Sequence, residues 1–344
     1  MKRLGYLDGL RGIAALWVVF DHVWYTAWAQ THPDRWAKLC GAWMLLGRLA
    51  VPVFIVLSGA CLALPLREGK AVSARQFYLR RGWRILPPYY LSIGAALLTV
   101  PLIGQRTGGY WDKCVPVTAA GLWQHLFLAH DLTHNHQINH VYWSIAVEWR
   151  IYLLFPVLVY LWQRGRRGIA AALVLALAPF QPYLLYFALG CLAVLLPRPA
   201  PLRAAQALPA STLALCALDI LGRAHVPLAA LNLCAAAASA AWLSRLLTGQ
   251  AKGPQEWLGR KPFAWLGAIS YSLYLTHGPV LELVWRYAVH PLGIGANARF
   301  ALLAGLGTAA SVLIARGFYE VAERPFLKRP WERPARLVTS QSAD

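Results

Sequence analysis

His22, Glu148 and His277 each lie within a long apolar stretch, where a titratable side chain needs a partner or a task. An ionisable residue at the centre of a membrane helix costs about 2.5–3.5 kcal/mol on insertion scales. A histidine that takes and returns a proton, near a carboxylate that orients it or stabilises its charge, is the minimum equipment for general-base chemistry. The same pair serves for a transient acyl-imidazole. The alternative for each group is a polar residue that packs between helices and is satisfied by a neighbour; for His277 the nearby Pro279 suggests a role at a helix break. Arg48 and Arg150 are candidates to neutralise Glu148, either as a structural ion pair or as a substrate clamp.

A second set of candidates is basic. In Arg80-Arg81-Gly82-Trp83-Arg84-Ile85-Leu86-Pro87-Pro88, Arg81 and Arg84 are three apart and share a face if the segment is helical. Paired guanidinium groups suit phosphoryl oxygens, which they bind bidentately. The same residues also read as a positive anchor on the cytoplasmic side. Arg11, close to Asp8 in an early helical turn, belongs to that layer.

The elements that must position these residues follow from composition. Of 344 residues, 58% are hydrophobic and 14% charged, far below the roughly 25% charged of a soluble domain, so most of the chain belongs in lipid. Apolar segments at 10–29, 41–63, 85–103, 142–162, 169–181, 183–197, 207–222, 226–247, 263–286 and 299–321 give about ten transmembrane helices. The predicted fold is therefore all-α, one polytopic bundle over 1–328 with a short cytoplasmic tail, without order of its own, at 329–344. The net charge of +19 does not point to nucleic acid, because the basic residues punctuate apolar segments instead of forming a patch.

Lys and Arg concentrate in the loops on the side of the N-terminus, which predicts both termini in the cytoplasm. With that topology as a ruler, His22 and His277 lie roughly 21 Å in from the cytoplasmic ends of their helices, and Glu148 about 9 Å below the outer end of its own. All three fall in the outer half of the bilayer. The N-terminal Met1-Lys2-Arg3 with its apolar run resembles a signal peptide, but Asp8, Arg11, Asp21 and His22 favour a retained first helix. Six cysteines without a Cys-x-x-Cys pair suggest neither a metal site nor disulfides. The run from His130 to His136 in the longest outer loop matches no familiar zinc spacing and reads as a polar loop; no metal is predicted.

Taken in order, these segments resemble acyltransferase family 3 of membrane proteins over nearly the whole chain. Leu7-Asp8-Gly9-Leu10-Arg11-Gly12 with His22 is similar to its first-helix signature, and Gly47 to Gly59 to its second. Arg81-x-x-Arg84 resembles its RxxR motif, and Tyr142-Trp143-Ser144 through Glu148 to Pro156 its outer carboxylate motif. Ser270-Tyr271-Ser272-Leu273-Tyr274-Leu275-x-His277 and Glu323-Arg324-Pro325-Phe326 complete the set. The second motif departs from the pattern, with Ala50-Val51-Pro52 where the family places a Gly and often an Asp.

The resemblance implies a multi-pass enzyme of a cell membrane, such as a bacterial inner membrane. It implies O-acyl transfer from cytoplasmic acyl-CoA, acetyl-CoA in the commonest case, to an acceptor hydroxyl on the outer side, often of a cell-surface or lipid-linked glycan. No bound cofactor is required, since the thioester supplies the driving force. On this reading His22 and Glu148 are catalytic, Arg81, Arg84 and Arg11 hold the donor's phosphates, and Asp8, Arg48, Ser144, Tyr271 and His277 support the site. The competing class is a transporter or flippase, whose inverted repeats with paired broken helices are not seen.

Overall fold

The computed structural model describes residues 4–31, 34–70, 72–103 and 110–327; the predicted tail at 329–344 lies outside them. Helices make up the architecture, and no strand occurs among the described residues. A helix lies over each predicted apolar segment, and five stretches are long and apolar enough to cross a membrane: Leu39–Arg67, Ala74–Ile103, His140–Gln163, Leu228–Leu247 and Ala296–Leu327. The protein is an all-helical membrane protein. Helix Gly5–Thr31 has the length but carries Asp8, Arg11, Asp21 and His22. Ser270–Val284 with its π-turn Trp285–Val289 carries His277, Glu282 and Arg286.

Side chains turn outward as lipid requires. Phe180 is 87% exposed and Leu98 80%, values that suit a hydrocarbon surround and not water. Inside, Val56, Leu57, Tyr89, Tyr142, Ile151 and Phe187 form a close-packed centre. Between lipid-soluble helices there is little hydrophobic gain on association, so shape fit and hydrogen bonds hold the bundle together.

Two departures from the predicted spans matter for the site. The helix expected at 85–103 begins at Ala74, so Arg81 and Arg84 stand within it instead of in a preceding loop. The span expected at 263–286 is broken: Lys261–Ala268 ends at Ile269, whose φ of −100° and ψ of 4° leave the helical values, and Ser270–Val284 follows as a separate helix. The break is tied to the first helix. A Cβ on Gly267 would stand 1.9 Å from the Asp8 carbonyl oxygen, and one on Gly12 2.6 Å from the Gly267 nitrogen. Only glycine lets these two backbones touch, and their contact fixes Asp8 and Arg11 beside Ser270 and Tyr271.

Candidate functional site

A cavity of about 600 Å³ opens among the first helix, the helices Ala50–Arg67, Ala74–Ile103 and Trp143–Gln163, the broken segment and the end of the last helix. Arg11, Arg81 and Arg84 line it together, as do Asp8, Glu148 and Glu323. Formal charges therefore cancel, but the two signs differ in availability. Asp8 pairs with Arg11 at 3.3 Å, and Arg11 also donates to Cys61 Sγ at 3.0 Å. Glu323 accepts from the Ser272 hydroxyl at 2.6 Å and from its backbone N–H at 3.2 Å. Glu148 accepts a short hydrogen bond from the Tyr152 hydroxyl. That hydroxyl has spent its one proton, so at 2.5 Å the Ser58 hydroxyl donates to it.

Arg81, by contrast, lies over the Tyr152 ring at 5.3 Å, and no described carboxylate comes within ion-pair distance of Arg81 or Arg84. Two guanidinium groups with open donors face a cavity whose carboxylates are already occupied. Such an arrangement suits an anion with several oxygens.

The helix that carries Glu148 links this cavity to a second cluster. His140, Ser144, Glu148 and Tyr152 recur every four residues, so they follow one helical face. Ser144, Glu148 and Tyr152 line the cavity, and His140, on the 3₁₀ turn His140–Tyr142 above, touches His22. A parallel line runs through the broken segment: Tyr271 and Tyr274 line the cavity, and His277 follows one turn later. The Tyr274 hydroxyl donates to the Val141 carbonyl at 2.9 Å and accepts from Ser144 at 2.6 Å, bracing the two lines against each other. Tyr271 donates to the Ile85 carbonyl at 3.0 Å.

At the head of these lines three imidazoles meet. His22 Nδ1 is 2.8 Å from His277 Nε2, and His22 Nε2 is 3.2 Å from His140 Nε2. His277 Nδ1 is 3.0 Å from the Leu273 carbonyl, which can only accept. The protons of the neutral rings follow in order. His277 carries its hydrogen on Nδ1, so its Nε2 accepts; His22 then donates from Nδ1, and its Nε2 holds the lone pair. Val18, one turn back, is a further backbone partner for the His22 ring. One peptide oxygen thus sets His22 in the tautomer whose Nε2 can act as base or nucleophile.

Tyr110 and Trp111 cover this cluster from the loop side. The Tyr110 and Trp111 rings lie 4.9 and 4.2 Å from that of His140. Trp111 donates to Thr26 at 2.9 Å, Asp112 pairs with Arg286, and Asn139 donates to the Leu275 carbonyl at 3.0 Å. Part of the loop predicted to be polar packs inward: His125 and His130 are buried and stacked at 3.9 Å, while residues 132–134 stay exposed. Burial, and after it the neighbouring His130, pushes His125 down to about 3.

The structure brings His22 and His277 together, and brings Arg11, Arg81, Arg84, Asp8, Glu148, Ser144 and Tyr271 to one cavity. It corrects the grouping of Glu148 with His22: similar depth did not mean a shared face, and Glu148 turns toward the arginines. It also corrects the two candidate partners for Glu148. Arg48 pairs with Asp219 at 2.9 Å and Arg150 with Asp131 at 2.7 Å, so neither neutralises it. His140, Tyr152 and Tyr274 were missed as site residues. The four-residue spacing from His140 to Tyr152 was the available signal, although it crosses a loop boundary that hydropathy could not locate. Among the described residues, no three His, Cys, Asp or Glu side chains converge where a metal ion would sit.

A family model described as an acyltransferase domain matches residues 4–316. The chain is similar to the acyltransferase MdmB of Streptomyces mycarofaciens, 26% identical over 95% of this chain and 92% of the relative. It is similar also to nodulation protein 10 of Rhizobium leguminosarum bv. viciae, 29% identical over 50% of this chain and 48% of that protein, so it spans about half the relative's length. No solved structure matches.

Proposed function

Because the chain belongs to this acyltransferase family and is a membrane-embedded acyltransferase, we propose that it carries an acyl group, acetyl first among candidates, from cytoplasmic acyl-CoA to a hydroxyl at the outer face. The acceptor we favour is a cell-surface or lipid-linked glycan, and the membrane a bacterial inner membrane with both termini in the cytoplasm. One observation carries the reading: a single cavity holds unpaired arginines and also reaches Ser144 and Tyr274, one helical turn from His277 and its partner His22.

The donor's phosphates bind Arg81 and Arg84, with Arg11 beside them, and the pantetheine arm follows the cavity toward Ser144 and Tyr274. Arg11 and His22 are eleven residues apart on one helix, about three turns or roughly 16 Å, which is the length the arm has to cover. His22 serves as the base for the acceptor's hydroxyl; the new O–C bond forms as the C–S bond breaks, and a proton ends on the CoA sulfur. Glu148, held by Tyr152, balances the arginine charge along the arm. General-base assistance of this kind contributes about 10²–10⁴-fold in rate.

Purified protein in lipid nanodiscs, incubated with radiolabelled acetyl-CoA, is expected to release CoA in a manner that His22→Ala abolishes. Movement of label across a sealed vesicle with the thioester intact would favour a transporter instead.

A further inference from the structure

We propose that His140 is the proton-relay residue of the transfer: it takes the acceptor's proton at Nδ1 while its own Nε2 proton passes to His22. This rests on the acyl-transfer reading above, with His22 as the base. The tautomer order supplies the argument. With the lone pair on His22 Nε2, the 3.2 Å contact to His140 Nε2 requires that His140 donate, so its proton sits on Nε2 and its lone pair on Nδ1. The nitrogen of His22 that does the chemistry is therefore already engaged, by another imidazole. A hydroxyl proton reaches it by way of His140 unless that ring is displaced.

The far side of His140 fits the role. His140 is 6% exposed, and its Nδ1 is buried with no hydrogen-bond partner. A buried acceptor left unsatisfied costs about 1–3 kcal/mol, which a hydroxyl donor would relieve. The ring stands at the end of the outer loop, beneath Tyr110 and Trp111, on the side of His22 away from His277. Other groups facing it are Lys113 and His136 of the loop, with His277 beyond His22. Lys113 is engaged over the Tyr110 ring at 3.7 Å.

The proton count closes. The acceptor loses one proton to His140 Nδ1 as its oxygen bonds the acyl carbon. His140 gives its Nε2 proton to His22, and His22 returns one to the departing thiolate. His140 is left with its proton on Nδ1, and the starting tautomer returns when Nδ1 gives that proton to water and water returns one to Nε2 by way of His22, with no oxidant, reductant or metal in the sequence.

The test uses the full chain in nanodiscs with acetyl-CoA and water as acceptor, reading CoA release. His140→Gln keeps an N–H donor near the Nε2 position but cannot pass a proton on. Its kcat should fall about 100-fold or more with the KM for acetyl-CoA unchanged. In His140→Gly, added imidazole should restore turnover, whereas the same imidazole should leave wild type unaltered. His140→Gln turning over at the wild-type rate, or a slow His140→Gly that imidazole fails to rescue, overturns the relay alone. Release that survives His22→Ala overturns the acyl-transfer reading and the relay with it.

Discussion

The arginine-lined cavity and the histidine cluster share three stretches of helix, with Arg81 and Arg84 added to the cavity from a fourth, yet they handle polarity in opposite ways. In the cavity, ionised groups persist because the space is open: Arg84 faces it freely, while Asp8, Glu148 and Glu323 are tied down. At the cluster, space is closed, and neutral rings pass hydrogen bonds from one to the next with a single nitrogen left over. Charge is useful for holding a polyanionic donor where water reaches; tautomers are useful for moving a proton where it does not.

The sharpest way to break this contrast is to remove the base. His22→Ala should lower CoA release from acetyl-CoA by about 10²–10⁴-fold, while far-UV circular dichroism and elution volume stay as in wild type. Acyl-CoA binding, which belongs to the other region, should persist in that variant.

The cavity should respond in the complementary manner. Arg81→Ala or Arg84→Ala removes a charge-assisted contact of about 1.5–3 kcal/mol, so the KM for acetyl-CoA should rise about 10- to 100-fold with kcat little changed. Lysine at either position should recover part of the loss, since it keeps charge without the planar fork. A fall in kcat with KM intact would place these arginines at the chemistry and dissolve the distinction between the regions.

A smaller effect is expected in the loop over the cluster. His125, pushed down to about 3 by burial, binds its proton far less readily folded than unfolded, where the value is near 6.5. The unfolded form therefore takes up more protons below that pH, and stability is full above about 6.5 and falls as pH drops toward 3. The loss at pH 5 is on the order of 2 kcal/mol if His125 acts alone. Hydrogen exchange at residues 119–139 should accelerate between pH 7 and 5 in wild type, and less so in His125→Phe. Equal acceleration in both would assign the effect elsewhere.

The smallest change is Tyr152→Phe. It removes the hydroxyl joining Ser58 to Glu148, worth about 1 kcal/mol, and should weaken acetyl-CoA binding by less than tenfold. An effect as large as that of His22→Ala would show that Glu148 takes part in proton transfer after all.

Much of the architecture was legible because lipid imposes a simple rule on sequence. Segments such as 142–162 and 226–247 match the helices Trp143–Gln163 and Leu228–Leu247 to within two residues. The start of the Ala74–Ile103 helix was not legible, since its first turns, with Arg75, Arg80 and Arg81, look like a loop to any hydropathy measure. The break at Ile269 was hidden too, because an apolar run does not reveal where its helix is interrupted.

The candidate residues were found by their cost. A histidine or glutamate within an apolar run is expensive wherever the chain goes, so His22, Glu148 and His277 stood out without any knowledge of their neighbours. Which of them meet is a different kind of information. Depth along a helix can be counted from sequence, but the direction a side chain faces depends on how helices rotate against one another, and that is set by contacts such as Gly12 on Gly267. Sequence by itself determined that the chain lives in a membrane and which side chains require a purpose there. Only tertiary packing decided that Glu148 turns to the arginines and that His22 lies between two other histidines, because those pairings follow from helix rotation, which no local pattern encodes.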